Sequence, residues 1–261
     1  MSLQISSLPA AVDRAEFEAE VATLRVREKA HTRESDAIAA ARRRLPMVEV
    51  DATTQLIGPY GPLTLLDAFE GRRQLIAYYH MWYEGGPAAQ QCEGCTWVTS
   101  QVAELSYLHS RDITYAVFAQ GPYDESVRYH EFMDYRVPWY SARDSLDTLL
   151  VGRSTDRQFY LVCYVRDDDN VFETYWTTGR GAEVVDYNYA LMDRTVFGRQ
   201  EPWEDSPPGW PQGWRQDGAG TMRTSAPRSL YPAPSSQPGS RPISQWSRLE
   251  AGRSDDLTPG R

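Results

Sequence analysis

The chain has 261 residues, 41% of them hydrophobic and 24% charged, with a formal net charge of −9 at pH 7. This length and composition suit a globular protein that buries a core without disulfide staples. An acidic chain without a basic cluster lacks the positive surface that nucleic acid or an anionic membrane requires, so neither partner is expected. The N-terminal stretch has no secretory signal pattern and no apolar run is long enough to span a bilayer, which predicts a cytoplasmic location.

Residues 13–45 alternate acidic and basic side chains around Phe17, Val21 and Leu24. Their spacing of i, i+4 and i+7 places these three apolar side chains on one helical face. We predict one long helix or two shorter ones, ended by Pro46, and assign residues 1–45 to an N-terminal helical extension.

The next segments change from helical to strand-like patterns. "MVEVDA" (47–52) predicts a short strand, and "GPYGPLTLLDAFEGRRQ" (58–74) a turn followed by one or two helical turns. "QLIAYYHMWY" (74–83) is a continuous apolar and aromatic run, typical of a strand buried on both faces.

Two cysteines, Cys92 and Cys95, follow this strand in "HMWYEGGPAAQQCEGCTW". Behind them, four apolar residues at spacings of 4, 3 and 3 predict one helix that starts directly after the pair: Val98, Val102, Leu105 and Leu108. "DITYAVFAQ" (112–120) predicts a second buried strand, "DESVRYHEFMDYR" (124–136) a second amphipathic helix, and "VPWYSA" (137–142) a short extended piece.

The last third of the chain contains a predicted hairpin. "RQFYLVCYVRDDDNVFETYWTT" (157–178) indicates two strands joined at Asp167–Asn170, where four consecutive turn-forming residues occur. "GAEVVDYNYALMDRTVFG" (181–198) predicts a closing helix. Residues 215–261 are rich in Pro, Gly, Ser and Arg and are predicted to be a disordered tail.

The predicted order is strand, helix, strand, helix, strand, strand, helix. A β-α-β crossover implies parallel central strands, and the final hairpin adds antiparallel ones. This mixed sheet flanked by helices, with C-x-x-C where the first core strand meets its helix, predicts an α/β thioredoxin-like fold over residues 46–214.

The cysteine spacing is suited to thiol-disulfide exchange. A helix N-terminus points unpaired N–H groups and partial positive charge at a sulfur, which favours the reactive thiolate. Cys92 at the cap is therefore the predicted nucleophile and Cys95, one turn in, the resolving thiol. The neighbouring carboxylate of Glu93 opposes thiolate formation, so we expect the pKa of Cys92 to be less depressed than in a strongly oxidising pair.

A metal site is the leading alternative. Two thiolates are too few for structural zinc, and Cys163 lies alone in an apolar strand. His80 ends the strand before the pair, so Cys92, Cys95 and His80 could form a thiolate and imidazole site for copper or zinc. His109 and His130 are weaker candidates, and exchange chemistry itself needs no cofactor.

Other side chains are expected near the same end of the sheet. Trp82 and Tyr83 could form an aromatic wall beside the thiols, or simply pack. Tyr123, Glu125 and Tyr129 follow the second buried strand, at the end where ligands of open α/β sheets bind.

Several stretches resemble a bacterial family of unknown function placed among the thioredoxin-like proteins, whose members are often labelled dithiol-disulfide oxidoreductases. They are "REKAHTRESDAIAAARRRLPMVEVD", "LLDAFEGRRQLIAYYHMWY", "CEGCTWVTSQVAELSYLHSRD" and "RQEPWEDSPPGWPQGW". The resemblance covers residues 13–214 and implies a thioredoxin-like core, with Cys92 and Cys95 as its cysteine pair. The resemblance supplies no substrate; the predicted exchange chemistry itself points to protein or small-molecule thiols and disulfides as partners.

Two features differ from thioredoxin itself. About eight residues, "EGGPAAQQ", separate the aromatic strand from the cysteines. Thioredoxins also have a cis-proline just before the final hairpin, whereas "TDRQFY" occupies that place here and Pro138 precedes a different extended piece. Because that proline discourages metal capture, its absence strengthens the copper or zinc alternative.

A third, non-enzymatic hypothesis is an interaction protein that can form a homo-oligomer. In it the N-terminal helices and the segment with Trp203, Trp210 and Trp214 mediate assembly. The competing interpretation of the tryptophan segment is that it covers the domain's own surface.

Overall fold

The computed structural model describes residues 8–200, 203–207 and 210. In this part of the chain, eight strands form one mixed sheet with the order β1-β8-β7-β4-β5-β6-β2-β3. The strands are β1 (Val48–Val50), β2 (Gln55–Gly58), β3 (Gly61–Thr64), β4 (Gln74–His80), β5 (Ile113–Ala119), β6 (Trp139–Ser141), β7 (Tyr160–Asp167) and β8 (Asn170–Thr177).

Helices cover both faces of this sheet. The α-helices are α1 (Arg14–Arg42), α2 (Glu93–Ser100), α3 (Ser106–His109), α4 (Tyr123–Met133), α5 (Leu146–Leu149) and α6 (Tyr187–Met192). Short 3-10 helices occupy Asp67–Phe69, Ala88–Gln90, Arg143–Ser145 and Gly179–Val185.

The central pairing confirms the predicted thioredoxin-like fold. β4, β5 and β6 run parallel, joined by crossovers that carry α2 and α4, whereas β7 pairs antiparallel with β4 and β8 antiparallel with β7. The turn at Asp168 and Asp169 lies inside the predicted hairpin bend, with Asp168 at φ +53°.

Alternation along β4 divides the core into two layers. Tyr78 and His80 point to the face covered by α2 and α4, and Ala77 and Tyr79 to the opposite face. The first layer, called here the cysteine-side core, contains the cysteine pair together with Tyr115, Tyr129 and Trp139, among others. Because strand side chains alternate, the strand that leads to the cysteines also supplies the wall behind them.

The N-terminal extension forms one continuous helix, which is one of the two predicted alternatives. Asp13 caps it by accepting the N–H of Glu16 at 2.9 Å, and Arg42 places positive charge at its C-terminus. None of its residues is buried, and Phe17, Leu24 and Ile38 are exposed. No helix among the described residues is long and apolar enough to cross a membrane.

Three predicted segments differ in detail from the structure. In the first, residues 55–64 form the β2–β3 hairpin, which the sequence pattern did not predict, while the one or two predicted helical turns are present as a single 3-10 turn. Its Pro-Tyr turn closes with Gly61 at φ +99°, a conformation that glycine adopts without steric cost.

The helix predicted after the cysteines is broken into α2 and α3. Its apolar residues Val102, Leu105 and Leu108 still pack against the cysteine-side core, as their helical spacing predicts. The backbone between α2 and α3 is nevertheless not helical. At the break, Gln101 donates to Asp186 Oδ1 at 2.9 Å and accepts the N–H of Asn188 at 3.0 Å. At this point the side chain of Gln101 thus binds the C-terminal segment, and the helix does not continue.

The closing segment is also shorter than the predicted single helix. It consists of the 3-10 helix Gly179–Val185 followed by α6. Beyond it, Trp203 stacks under the guanidinium of Arg180 at 4.2 Å, and Trp210 meets Phe197 edge-on at 5.3 Å. These contacts favour a segment that covers its own domain, whereas Trp214 and the predicted tail 215–261 lie outside the described residues.

Candidate active site

The cysteine pair lies where the sequence placed it, at the start of a helix that follows β4. Cys92 is the N-cap of α2, and its Sγ accepts the N–H of Cys95 at 3.3 Å. The Thr96 hydroxyl donates to the Cys92 carbonyl at 2.7 Å, which ties the first turn together. Both cysteines are free thiols, with 2% of Cys92 and none of Cys95 exposed.

The two thiols have opposite pKa shifts. The hydrogen bond with Cys95 and burial raise the pKa of Cys92 well above its ordinary value, and Glu93 adds to the rise. Burial also opposes ionisation of Cys95, yet hydrogen bonds from Cys92, Tyr78 and the backbone lower the Cys95 pKa below its ordinary value. Of the two thiols, Cys95 is therefore the one whose charged form its surroundings favour, and Cys92 the one that holds its proton more tightly. The sequence predicted a Cys92 pKa that is lowered only weakly, whereas its pKa is raised and that of Cys95 is lowered; the predicted opposing effect of Glu93 is present.

Two tyrosine hydroxyls lie behind Cys95. Tyr78 on β4 and Tyr115 on β5 are buried, and neither hydroxyl has a hydrogen-bonding nitrogen or oxygen partner among the described residues. Burial raises the pKa of both phenols, and the Cys95 charge raises it further. Both hydroxyls thus remain protonated and can stabilise negative charge on the sulfur.

A buried carboxyl from the C-terminal segment lies beside this group. Asp186 has Oδ1 bonded to Gln101, while Oδ2 has no partner within the described residues. Burial raises the pKa of Asp186 to about 7, with Glu183 adding to the shift and Arg199 opposing it. Its charge also raises the pKa of Tyr115, which links it electrostatically to Cys95.

The segment between β4 and α2 folds over the thiols. Gln91 donates to the carbonyls of Tyr83 at 2.9 Å and Gly86 at 2.8 Å, and accepts the N–H of Tyr83 at 3.0 Å. Glu125 on α4 accepts both Trp82 Nε1 at 3.0 Å and the Gly85 N–H at 2.7 Å. Trp82 and Tyr83 pack against the cysteine-side core, which is the simple packing that the sequence analysis gave as the alternative to an aromatic wall.

His80 lies on the same face of β4 but in its own surroundings. Its Nδ1 bonds the Met81 carbonyl at 2.8 Å, and rings of Tyr78, Trp82, Tyr129 and Trp139 surround it at centroid distances of 5.3–6.4 Å. Burial lowers the pKa of His80 to about 4, so the imidazole is neutral.

The described residues contain no group of three His, Cys, Asp or Glu side chains arranged to hold a metal ion. His80 therefore does not complete a ligand set with Cys92 and Cys95 in this geometry, and His109 and His130 add none. His130 Nε2 instead bonds the Val137 carbonyl at 3.1 Å. The copper or zinc site therefore stays a prediction, and the described residues are not arranged to form it.

Phe159 occupies the place just before β7 where thioredoxins have their proline. It is buried in the cysteine-side core, and its ring lies 6.2 Å from that of Tyr78. Pro138, the nearest proline candidate, precedes β6 and accepts the N–H of Val117 at 2.9 Å. An aromatic side chain of the cysteine-side core thus stands where thioredoxins have the proline.

A family model described as "Bacterial protein of unknown function (DUF899)" matches residues 6–219. The chain belongs to this family. No protein of curated function matches the DUF899 chain significantly in sequence.

Several solved structures align with part of this DUF899 chain. A mutant of peroxiredoxin Q from Xanthomonas campestris aligns at 12% identity and TM-score 0.41, over 57% of this chain and 97% of its own. Peroxidoxin BcpB from Mycobacterium tuberculosis aligns at 15% identity and TM-score 0.38, over 55% of this chain and 94% of its own. A Chlorobium tepidum protein described as thiol:disulfide interchange protein DsbE aligns at 8% identity and TM-score 0.35, over 56% and 98%.

Sequence reasoning found the thiols but missed most of the side chains around them. Tyr78 was detectable, because it lies two residues before His80 on the same face of a strand. Glu125 and Tyr129 were expected at this end of the sheet, and Tyr129 does pair with Thr96 at 2.5 Å. Gln91, Tyr115 and Asp186 had no signal in the sequence that connected them to the cysteines.

Proposed function

We propose that the protein exchanges electrons with thiols and disulfides through Cys92 and Cys95. The observation that carries this proposal is the hydrogen-bonded pair of free thiols at the start of α2, where Cys92 Sγ accepts the Cys95 N–H at 3.3 Å. The spacing of the two sulfurs lets one attack a disulfide and the other resolve the mixed disulfide.

The geometry supports the following order of steps. Cys92 loses its thiol proton to solvent and its Sγ attacks one sulfur of a substrate disulfide, which forms a mixed disulfide and releases a substrate thiolate that takes a proton from solvent. Cys95 in turn loses its thiol proton to solvent. Cys95 then attacks Cys92 Sγ, forms the Cys92–Cys95 disulfide and releases the second thiolate, which takes a proton from solvent. Two electrons pass from the protein to the substrate, and a dithiol reductant reverses the sequence.

The test is redox cycling of the pair in glutathione buffers. We expect the protein mass to change by two hydrogen atoms in one transition, and Cys92→Ser and Cys95→Ser each to abolish it. Cys163→Ser is the matched control, because burial raises the pKa of Cys163 to about 11 and it lies away from the pair on β7.

Two results would contradict the proposal. The first is catalysis of disulfide exchange that Cys92→Ser leaves unchanged. The second is stoichiometric copper or zinc, in protein purified without an affinity tag, that blocks alkylation of both cysteines until a chelator removes it.

A further inference from the structure

The reactive sulfurs are covered by the residues that precede them. We name residues 82–91 the cover segment; it includes the inserted "EGGPAAQQ" and the 3-10 helix Ala88–Gln90. Ala88 is fully buried in the cysteine-side core, and Cys92 Sγ lies 4.0 Å from Met81 Sδ just before the segment. A disulfide sulfur cannot reach Cys92 while this segment is in place.

The segment is held at both ends by buried hydrogen bonds. At its C-terminal end Gln91, 1% exposed, closes the loop on itself through three bonds to the backbone of Tyr83 and Gly86. At its N-terminal end Glu125, 7% exposed, accepts the N–H groups of Trp82 and Gly85. Breaking either set leaves buried polar groups without partners, which is costly.

Two further contacts fix the same position. The Trp82 ring lies so close to Gly121 that a Cβ there would come within 2.0 Å of it. Arg143 also pairs with Glu84 at 2.9 Å, but both side chains are about half exposed, so this pair contributes little. The buried bonds of Gln91 and Glu125 therefore hold the cover segment.

We propose that the cover segment restricts the exchange reaction to low-molecular-weight disulfides, and that Gln91 and Glu125 enforce this selection. The inference rests on the proposed function and names its substrate class. A small disulfide needs only a local opening of the segment, whereas a disulfide on a folded protein needs the whole segment displaced. Both kinds of disulfide would undergo the same electron and proton transfers once they reach Cys92.

The test compares glutathione disulfide with insulin as oxidants of the reduced protein. We expect the unaltered protein to react much faster with glutathione disulfide. Glu125→Leu and Gln91→Leu keep side-chain volume but remove the hydrogen bonds, and each is expected to raise the rate with insulin roughly tenfold relative to that with glutathione disulfide. Glu49→Leu, on the edge strand β1, is the matched control and should leave the ratio unchanged.

A second measurement does not depend on exchange activity. In a Cys163→Ser background, iodoacetamide and a bulky polyethylene glycol maleimide are compared as alkylating reagents, and circular dichroism checks that each variant is folded. The bulky reagent should be excluded from the unaltered pair and admitted by the two Leu variants.

The outcomes separate the two proposals. Equal rates with both disulfides, or equal alkylation by both reagents, would overturn the size restriction and leave exchange chemistry standing. If the two Leu variants fold but change neither the ratio of the rates with the two disulfides nor the ratio of alkylation by the two reagents, Gln91 and Glu125 do not enforce the size restriction. Exchange with neither disulfide would end the proposed function and this inference with it.

Discussion

At the Cys95 sulfur, burial and hydrogen bonding act on the pKa in opposite directions. Burial alone disfavours the thiolate, but donors from Cys92, Tyr78 and the backbone outweigh it. Cys92 has fewer such donors and a carboxylate, Glu93, beside it, so its pKa rises. The charge of the pair is therefore decided by which sulfur receives the donors.

Replacing Tyr78 by Phe removes one of these donors with little change in shape. Because the Tyr78 hydroxyl lowers the pKa of Cys95, we expect Tyr78→Phe to raise that pKa. The pH dependence of alkylation, followed in a Cys163→Ser background, measures the change. Tyr107→Phe, on an exposed residue of α3, is the control, and equal profiles for both variants would exclude a role for the Tyr78 hydroxyl.

Asp186 should affect stability in a pH-dependent way. The pKa of its carboxyl is raised from 3.8 to about 7, so folding favours the protonated form. The stabilisation from this protonated carboxyl is complete below about pH 4 and is lost as the pH rises through 7. The charged and polar groups that interact with the Asp186 carboxyl are Glu183, Arg199, Gln101 and Tyr115.

We therefore expect Asp186→Asn to raise the Tm relative to the unaltered protein at pH 8 and to change it little at pH 4. Thermal unfolding across that range measures the effect, with the exposed Asp156→Asn as control. A Tm difference that does not vary with pH would contradict the buried, proton-binding state of Asp186.

Among the elements, α1 and the cover segment differ in how they are held. The cover segment is fixed by buried polar bonds, whereas α1 buries no residue and touches the domain through Arg42, whose guanidinium lies 5.1 Å from the Tyr175 ring. A helix of this length is stabilised by its own backbone bonds, its Asp13 cap and pairs such as Arg14 with Glu18.

Deleting residues 1–42 should therefore leave the rest of the protein folded. A single exposed cation–π contact is worth about 0.5–1 kcal/mol, so we expect the free energy of unfolding to fall by about 1 kcal/mol or less. Urea denaturation measures it, and a loss of about 3 kcal/mol or more would mean that α1 packs on the domain. Sedimentation of the same variant tests whether the extension mediates assembly.

For the whole molecule, the buried neutral His80 predicts a loss of stability in acid. Its folded pKa of about 4 lies below the ordinary 6.5, so its contribution is complete above pH 6.5 and is lost as the pH falls toward 4. The loss amounts to about 3 kcal/mol at 1.36 kcal/mol per pKa unit.

His80→Gln should remove most of this pH dependence. We expect the free energy of unfolding of the variant to fall less between pH 7 and pH 4 than that of the unaltered protein, as measured by urea denaturation at each pH. His31→Gln, on the exposed surface of α1, should behave like the unaltered protein. If the two variants follow the same pH profile, the imidazole of His80 is not held neutral by burial.

The local patterns of this sequence were enough to predict its architecture. The apolar runs of β4 and β5, the helical spacing of α1 and α4 and the turn residues at Asp167–Asn170 are properties of short segments, because backbone geometry repeats every 2 or 3.6 residues. They predicted a mixed sheet with C-x-x-C at a strand-to-helix junction, and the structure has both. The unpredicted β2–β3 hairpin and the break between α2 and α3 depend on pairing partners elsewhere in the chain.

The surroundings of the thiols were decided only by the tertiary structure. Tyr115 and Asp186 come from a strand and a C-terminal segment that approach the cysteine pair only after the sheet has formed. No periodicity links such residues, since hydrogen bonds and electrostatic interactions between distant segments follow from how the chain packs. The sequence by itself therefore determined that two thiols lie at the start of a helix, and the fold determined that both are buried and that their pKa values shift in opposite directions.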